Sequence, residues 1–197
     1  MNYKTPGDAI FGLNAERERV FFKDARVIEN NRELIELFRI RHTIFFIDQV
    51  QVLEDNKAAF PLVHMTLYGI QALAKVLNGT STLSQENVIQ LLEQMDSLFL
   101  EKENIMKYTE FWDDRVWDFN DNLSYIFYNL AFTGLKKGYV LDYGEEVTLE
   151  VWEETFFRLN PGWLWNSYKS FFNTCFDNLT EEQEQNIADY IRTEILL

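Results

Sequence analysis

The chain has 197 residues and a mass of 23.5 kDa, enough for one ordinary domain that buries roughly 70% of its unfolded surface. Residues of the AVILMFWYC set make up 47% and aromatics 16%, which excludes an intrinsically disordered chain, and a single cysteine excludes an internal disulfide. With 18 basic and 32 acidic residues the formal charge is −14, which opposes a phosphate backbone as ligand, so no direct nucleic-acid binding is expected.

The first ten residues carry Lys4, Pro6, Gly7 and Asp8 where a signal peptide would need an apolar block. The longest apolar runs, such as Ile44 to Ile47, are four or five residues against about 20 for a bilayer span. A cytoplasmic protein with no membrane contact is expected, and the glycosylation triplets at Asn78, Asn122 and Asn178 are discounted. No repeat or linker divides the chain, and its three prolines are scattered at 6, 61 and 161. The expected fold class is all-α: a single compact domain over 1–197, a helical bundle of about six to eight helices.

From Asn31, the apolar residues Leu34, Leu37, Phe38, Phe45 and Val52 recur at near-helical steps and predict a helix over about 32 to 54; the Thr43 to Ile47 run also reads as a buried strand. A helix over about 56 to 77 follows, with Pro61 near its start and Asn78–Gly79 as its stop. Thr82 and Gln85 have the form of a capping box ahead of Val88, Leu91, Leu92, Met95, Leu98 and Phe99. Between Lys107 and Lys137, Trp112, Val116, Phe119, Leu123, Ile126 and Leu130 are spaced 4, 3, 4, 3 and 4, a seam for a partner helix that stops at Gly138. Residues 139–151 alternate around Gly144 as a short β-hairpin would, but a helix starting at Thr148, with Leu149, Trp152 and Phe156 on one face, is the favoured reading. "NPGWLWNSY" from Asn160 reads as a tight turn anchored by Trp163 and Trp165. Thr180 and Gln183 form a second capping box before a closing helix over 181 to 195.

Catalytic groups are scarce. Two histidines and one cysteine cannot build a Cys₄ or Cys₂His₂ zinc site, and no Glu-x-x-His or His-Glu-x-x-His pattern occurs. Asp118, Asn120 and Asn122 open like a calcium loop, but Leu123 and Asn129 stand where Gly and Glu are required. Cys175 lies among Phe171, Phe172 and Phe176, where burial would silence its thiol; His42 and His64 read as packing or surface residues. No phosphate-binding glycine loop or hydrolase elbow is present, and neither a metal nor another cofactor is expected.

Charge is the more informative signal. Residues 1–100 hold 13 acids and 10 bases, whereas 101–197 hold 19 acids and 8 bases, so the second half carries most of the surplus. Taking 100° per residue, Glu110, Asp114, Trp117, Asp121 and Tyr128 share a face opposite the Trp112–Leu130 seam, and Glu145 and Glu146 extend the acidic stretch beyond it. Aromatics set among carboxylates are typical interface anchors, although a second helix over that face would make Trp117 ordinary core. These residues are the candidate partner-binding site. The function expected from them is that of an acidic protein-binding protein, an inhibitor or immunity-type protein that neutralises a basic partner such as a nuclease toxin. Two alternatives stand beside it. One is an enzyme with a carboxylate pair in an aromatic pocket near Asn160 to Tyr168; the other is a self-assembling subunit whose Arg17, Arg19, Lys23 and Arg26 meet the acidic stretch of another copy.

Overall fold

The computed structural model describes residues 9–82, 87, 90–91, 94–95, 139–144, 148–151 and 154–196. They open with a hairpin that the sequence reading did not assign: β1 (Ile10–Leu13) pairs antiparallel with β2 (Arg19–Phe21), with a register shift between Ile10 and Gly12. Asn14 builds the connection, its side-chain oxygen accepting from the Glu18 amide at 2.8 Å, while Arg17 takes the left-handed conformation at φ 64°. Neither residue gives the Gly-based turn signal by which hairpins are usually read.

A short α1 (Phe22–Ala25) leads to α2 (Asn31–His42), whose Asn30 side chain caps the Glu33 amide. The predicted helix does run on, but through a π-helical turn, Thr43–Ile47, into α3 (Asp48–Asp55), so the alternative strand at Thr43 to Ile47 does not form. The Thr43 hydroxyl donates to the Arg39 carbonyl at 3.0 Å, competing for a carbonyl of the regular ladder where the turn widens.

The next helix, α4 (Ala59–Leu77), ends as its sequence requires. Gly79 is left-handed at φ 59°, its amide bonds the Val76 carbonyl and the Thr80 amide bonds the Lys75 carbonyl, the two bonds of a Schellman cap. Among the described residues α4 alone has the length and apolarity to cross a bilayer, and half of that window is packed inside the fold. Beyond it Leu91 and Met95 are buried, in keeping with the periodicity of the segment that contains them.

Residues 139–159 correct the all-α expectation. β3 (Tyr139–Leu141), β4 (Thr148–Val151) and β5 (Glu154–Leu159) form a sheet in the order β3-β5-β4, so the favoured helix from Thr148 is absent. The hairpin alternative was nearer but mispaired: β3 and β4 never meet, because β5 lies between them, parallel to β3 and antiparallel to β4. The run Thr155, Phe156, Phe157 suits a strand, and long-range pairing outweighed the helical spacing of Leu149 and Phe156.

Asn160 then caps α5 (Pro161–Thr174), its side-chain oxygen accepting from Gly162 at 2.9 Å and Trp163 at 3.2 Å, with Pro161 at the first helical position. The expected tight turn is thus a helix start, although Trp165 does anchor the core and is fully buried. The chain closes with α6 (Glu181–Tyr190), which carries the predicted Thr180–Gln183 capping box and passes into a second π-helical turn, Ile191–Ile195. The fold is mostly helical with two small sheets. The described residues form five continuous helical stretches, fewer than the six to eight expected, and the helix placed at 107–137 lies outside them.

Two packing relationships organise the helices: α4 lies against α5 and α3, and α2 lies against α6 and β1. Between α2 and α5 runs an aromatic seam in which His42 and Phe46 meet Trp165, Tyr168 and Phe172. Gly69 of α4 makes room for it, since a Cβ there would stand 2.6 Å from Phe46 and 2.9 Å from Tyr168.

Candidate functional site

The few cations serve the fold first. Arg26 donates to the Leu196 carbonyl and ties down the C-terminal turn. Arg41 donates to the Phe11 carbonyl and lies over the rings of Phe11 and Phe45, at 4.8 and 5.2 Å from their centroids. Arg39 donates to the Asn173 carbonyl at the end of α5, and Arg192 donates to the Glu29 carbonyl ahead of α2 and to the side chain of Asn31 at its first position. Arg32 pairs with Glu184 at 2.7 Å, Lys57 with Glu54 at 2.9 Å, and Lys169 donates to Gln51 at 2.7 Å. Among the described residues, these bases are therefore engaged by the protein's own carbonyls, amides and carboxylates.

One described surface combines carboxylates with apolar side chains. On the turn Thr43–Ile47 and α3, Phe45 is 53% and Val52 54% exposed, and Asp48 and Asp55 are exposed beside them. The sequence reading counted Phe45 and Val52 in one apolar helical repeat with Leu34, Leu37 and Phe38; the last three are buried, whereas Phe45 and Val52 are not. A π-helical turn adds a residue to the repeat, so Phe46, Ile47 and Val50 turn inward and Phe45 outward. Val52 follows the buried Val50 by two residues, about 200° round the helix from it. The result is a ridge, Phe45–Asp48–Val52–Asp55, of the composition the sequence reading sought elsewhere.

The remaining polar groups are held within the structure. His42 Nε2 lies 2.6 Å from Tyr168 Oη, with its ring stacked 4.5 Å from Phe172; burial, aided by the Arg41 charge, brings its pKa down to about 4. Burial likewise pushes Tyr168 well up, and raises the Cys175 thiol to about 12 against the opposing pull of Arg39. The first choices for a base and a nucleophile are therefore neutral and engaged in packing at neutral pH. Tyr143 is raised to about 12, chiefly by burial and then by the charge of nearby Glu54. A cleft of about 260 Å³ separates α2 from the 176–184 segment, and its rim is crossed by the Arg32–Glu184 and Arg39–Asp177 pairs, the latter at 3.5 Å. Among the described residues no three His, Cys, Asp or Glu side chains converge as a metal site.

The partner-binding residues expected from sequence, Glu110, Asp114, Trp117, Asp121, Tyr128, Glu145 and Glu146, all lie outside the described residues. The ridge on α3 was missed because its signal, two carboxylates flanking Val52, was overridden by apolar periodicity. Comparison of the chain with protein-family models, curated proteins and solved structures finds no match.

Proposed function

We propose that this is a binding protein that neutralises a basic protein partner, in the manner of an inhibitor or immunity protein acting on a nuclease toxin or another nucleic-acid-binding protein. The observation that supports this reading is the exposed Phe45–Asp48–Val52–Asp55 ridge on a chain of net charge −14. Surface carboxylates accelerate encounter with a cationic protein, and apolar side chains between them slow its departure once water is expelled. Glu110, Asp114, Trp117, Asp121 and Tyr128, with Glu145 and Glu146, supply a second surface of the same chemistry on the sequence reading.

The test is affinity capture from the native host at 0.1 and 0.5 M salt, with wild type and a Phe45→Ala/Val52→Ala variant. The expected partner has a pI above about 9, is retained at low salt, is weakened at high salt, and is weakened again by the variant. A neutral or acidic partner, or capture indifferent to both salt and variant, counts decisively against the reading.

A further inference from the structure

The ridge on the Thr43–Ile47 turn and α3 has a repeat as well as a composition. Phe45, Asp48, Val52 and Asp55 follow one another at steps of 3, 4 and 3 residues, the spacing by which one helix presents a continuous stripe to another. Asp48, Val52 and Asp55 all belong to α3, a regular α-helix, so the two carboxylates stand two turns, about 10.5 Å, apart along its axis with Val52 between them. Glu36, Glu54, Asp177, Glu184 and Asp189 pair with the protein's own bases. Among the described residues no base pairs with Asp48 or Asp55, and Asp55 is engaged through one oxygen, which accepts from Gln51 at 2.9 Å.

We propose that the ridge docks against a helix of the basic partner, one that carries Lys or Arg seven residues apart with an apolar residue between them on the same face. This rests on the binding function proposed above and specifies the element by which the partner is held. The interval between the carboxylates selects a helix. On a second helix, residues seven apart recur on one face at the same spacing of about 10.5 Å, and the two repeats stay in register across a shallow crossing. A strand repeats its same-face residues at about 6.7 and 13.4 Å, so its cations would meet one carboxylate and miss the other. Charge complementarity selects the cations, and it disfavours a second copy of this chain, whose own ridge would set carboxylate against carboxylate.

The experiment measures fluorescence anisotropy of three labelled peptides of about 20 residues and equal charge, at 0.1 M salt. The first repeats Lys and Leu at alternating three- and four-residue steps, the second scrambles that repeat, and the third is the first with two central neutral residues replaced by proline, which breaks the helix. Wild type should bind the first about tenfold more tightly than either of the others, the scale of one exposed ion pair and one part-buried leucine at about threefold each. Asp48→Asn/Asp55→Asn should reduce that preference to about threefold, the share of the leucine. Asp24→Asn/Glu29→Asn removes the same charge from exposed positions elsewhere and should leave the full preference intact. Equal binding of the three peptides by wild type, or a full preference that survives Asp48→Asn/Asp55→Asn, overturns this inference alone. If wild type binds none of them, the parent function falls with it. A wild-type dimer in sedimentation that Phe45→Ala/Val52→Ala dissociates would assign the ridge to a second copy and overturns the inference as well.

Discussion

His42 Nε2 and Tyr168 Oη meet at 2.6 Å across the α2–α5 seam, an imidazole and a phenol enclosed by Phe38, Phe46 and Phe172. The seam tolerates the imidazole only as a neutral ring: the folded pKa is about 4 against 6.5 when free. Between those values the unfolded chain binds a proton that the folded chain does not. This contribution is therefore complete above pH 6.5 and is lost as pH falls toward 4, a total on the order of 3 kcal/mol. Urea unfolding at pH 7, 5.5 and 4.5 should show the loss, and the slope should flatten in His42→Phe. Equal slopes in the two proteins would show that other groups govern the acid limb.

The same seam constrains α4. Gly69→Ala adds a methyl group 2.6 Å from a Phe46 ring carbon and 2.9 Å from one of Tyr168. Alanine gains about 1 kcal/mol in helix propensity, but the overpacking costs about 1–3 kcal/mol and must move two enclosed rings. The variant is expected to melt below wild type. Gly12→Ala, whose nearest contact is the Arg41 Cβ at 3.3 Å, is expected to be milder in the same thermal scan.

Asn160 joins sheet and helix. Its oxygen caps α5 while its Nδ2 donates to the Gly144 carbonyl at 3.1 Å, all from a buried position. Asn160→Ala should cost about 2 kcal/mol, one part from the lost cap and one from the lost bond to Gly144. Asn160→Asp keeps the acceptor alone and should recover part of the loss in denaturant titration.

Cys175 should resist alkylation. At pH 8 a thiol with pKa near 9 is about one-tenth thiolate, whereas one raised to about 12 is roughly a thousandfold less ionised. Iodoacetamide labelling followed by mass should therefore be fast in denaturant and slower by about that factor in the folded protein. Rapid labelling without denaturant would contradict the burial assigned to this side chain.

Substitution on the ridge should separate stability from binding. Val52→Ala removes an exposed side chain and is expected to shift folding by no more than about 0.5 kcal/mol, and Phe45→Ala by somewhat more because Arg41 loses a ring. Both should speed dissociation of a captured basic partner in surface plasmon resonance, while Asp48→Asn/Asp55→Asn should chiefly slow its association.

What the sequence determined by itself is local. The Thr180–Gln183 box and the Asn78–Gly79 stop are legible because each closes hydrogen bonds within about five residues of itself, and the silent Cys175 is legible because its phenylalanine neighbours adjoin it in the chain. Only the tertiary structure decided the rest. Strand β5 draws β3 and β4 to its two edges through pairings that no local pattern specifies. The π-helical turn at Thr43–Ile47 shifts the helix phase by a residue, and that shift puts Phe45 and Val52 in water beside Asp48 and Asp55. Periodicity assumes an unbroken 3.6-residue repeat, so it grouped those two residues with Leu34, Leu37 and Phe38, which are buried; one widened turn, packed against α5, made them the surface on which the proposed function rests.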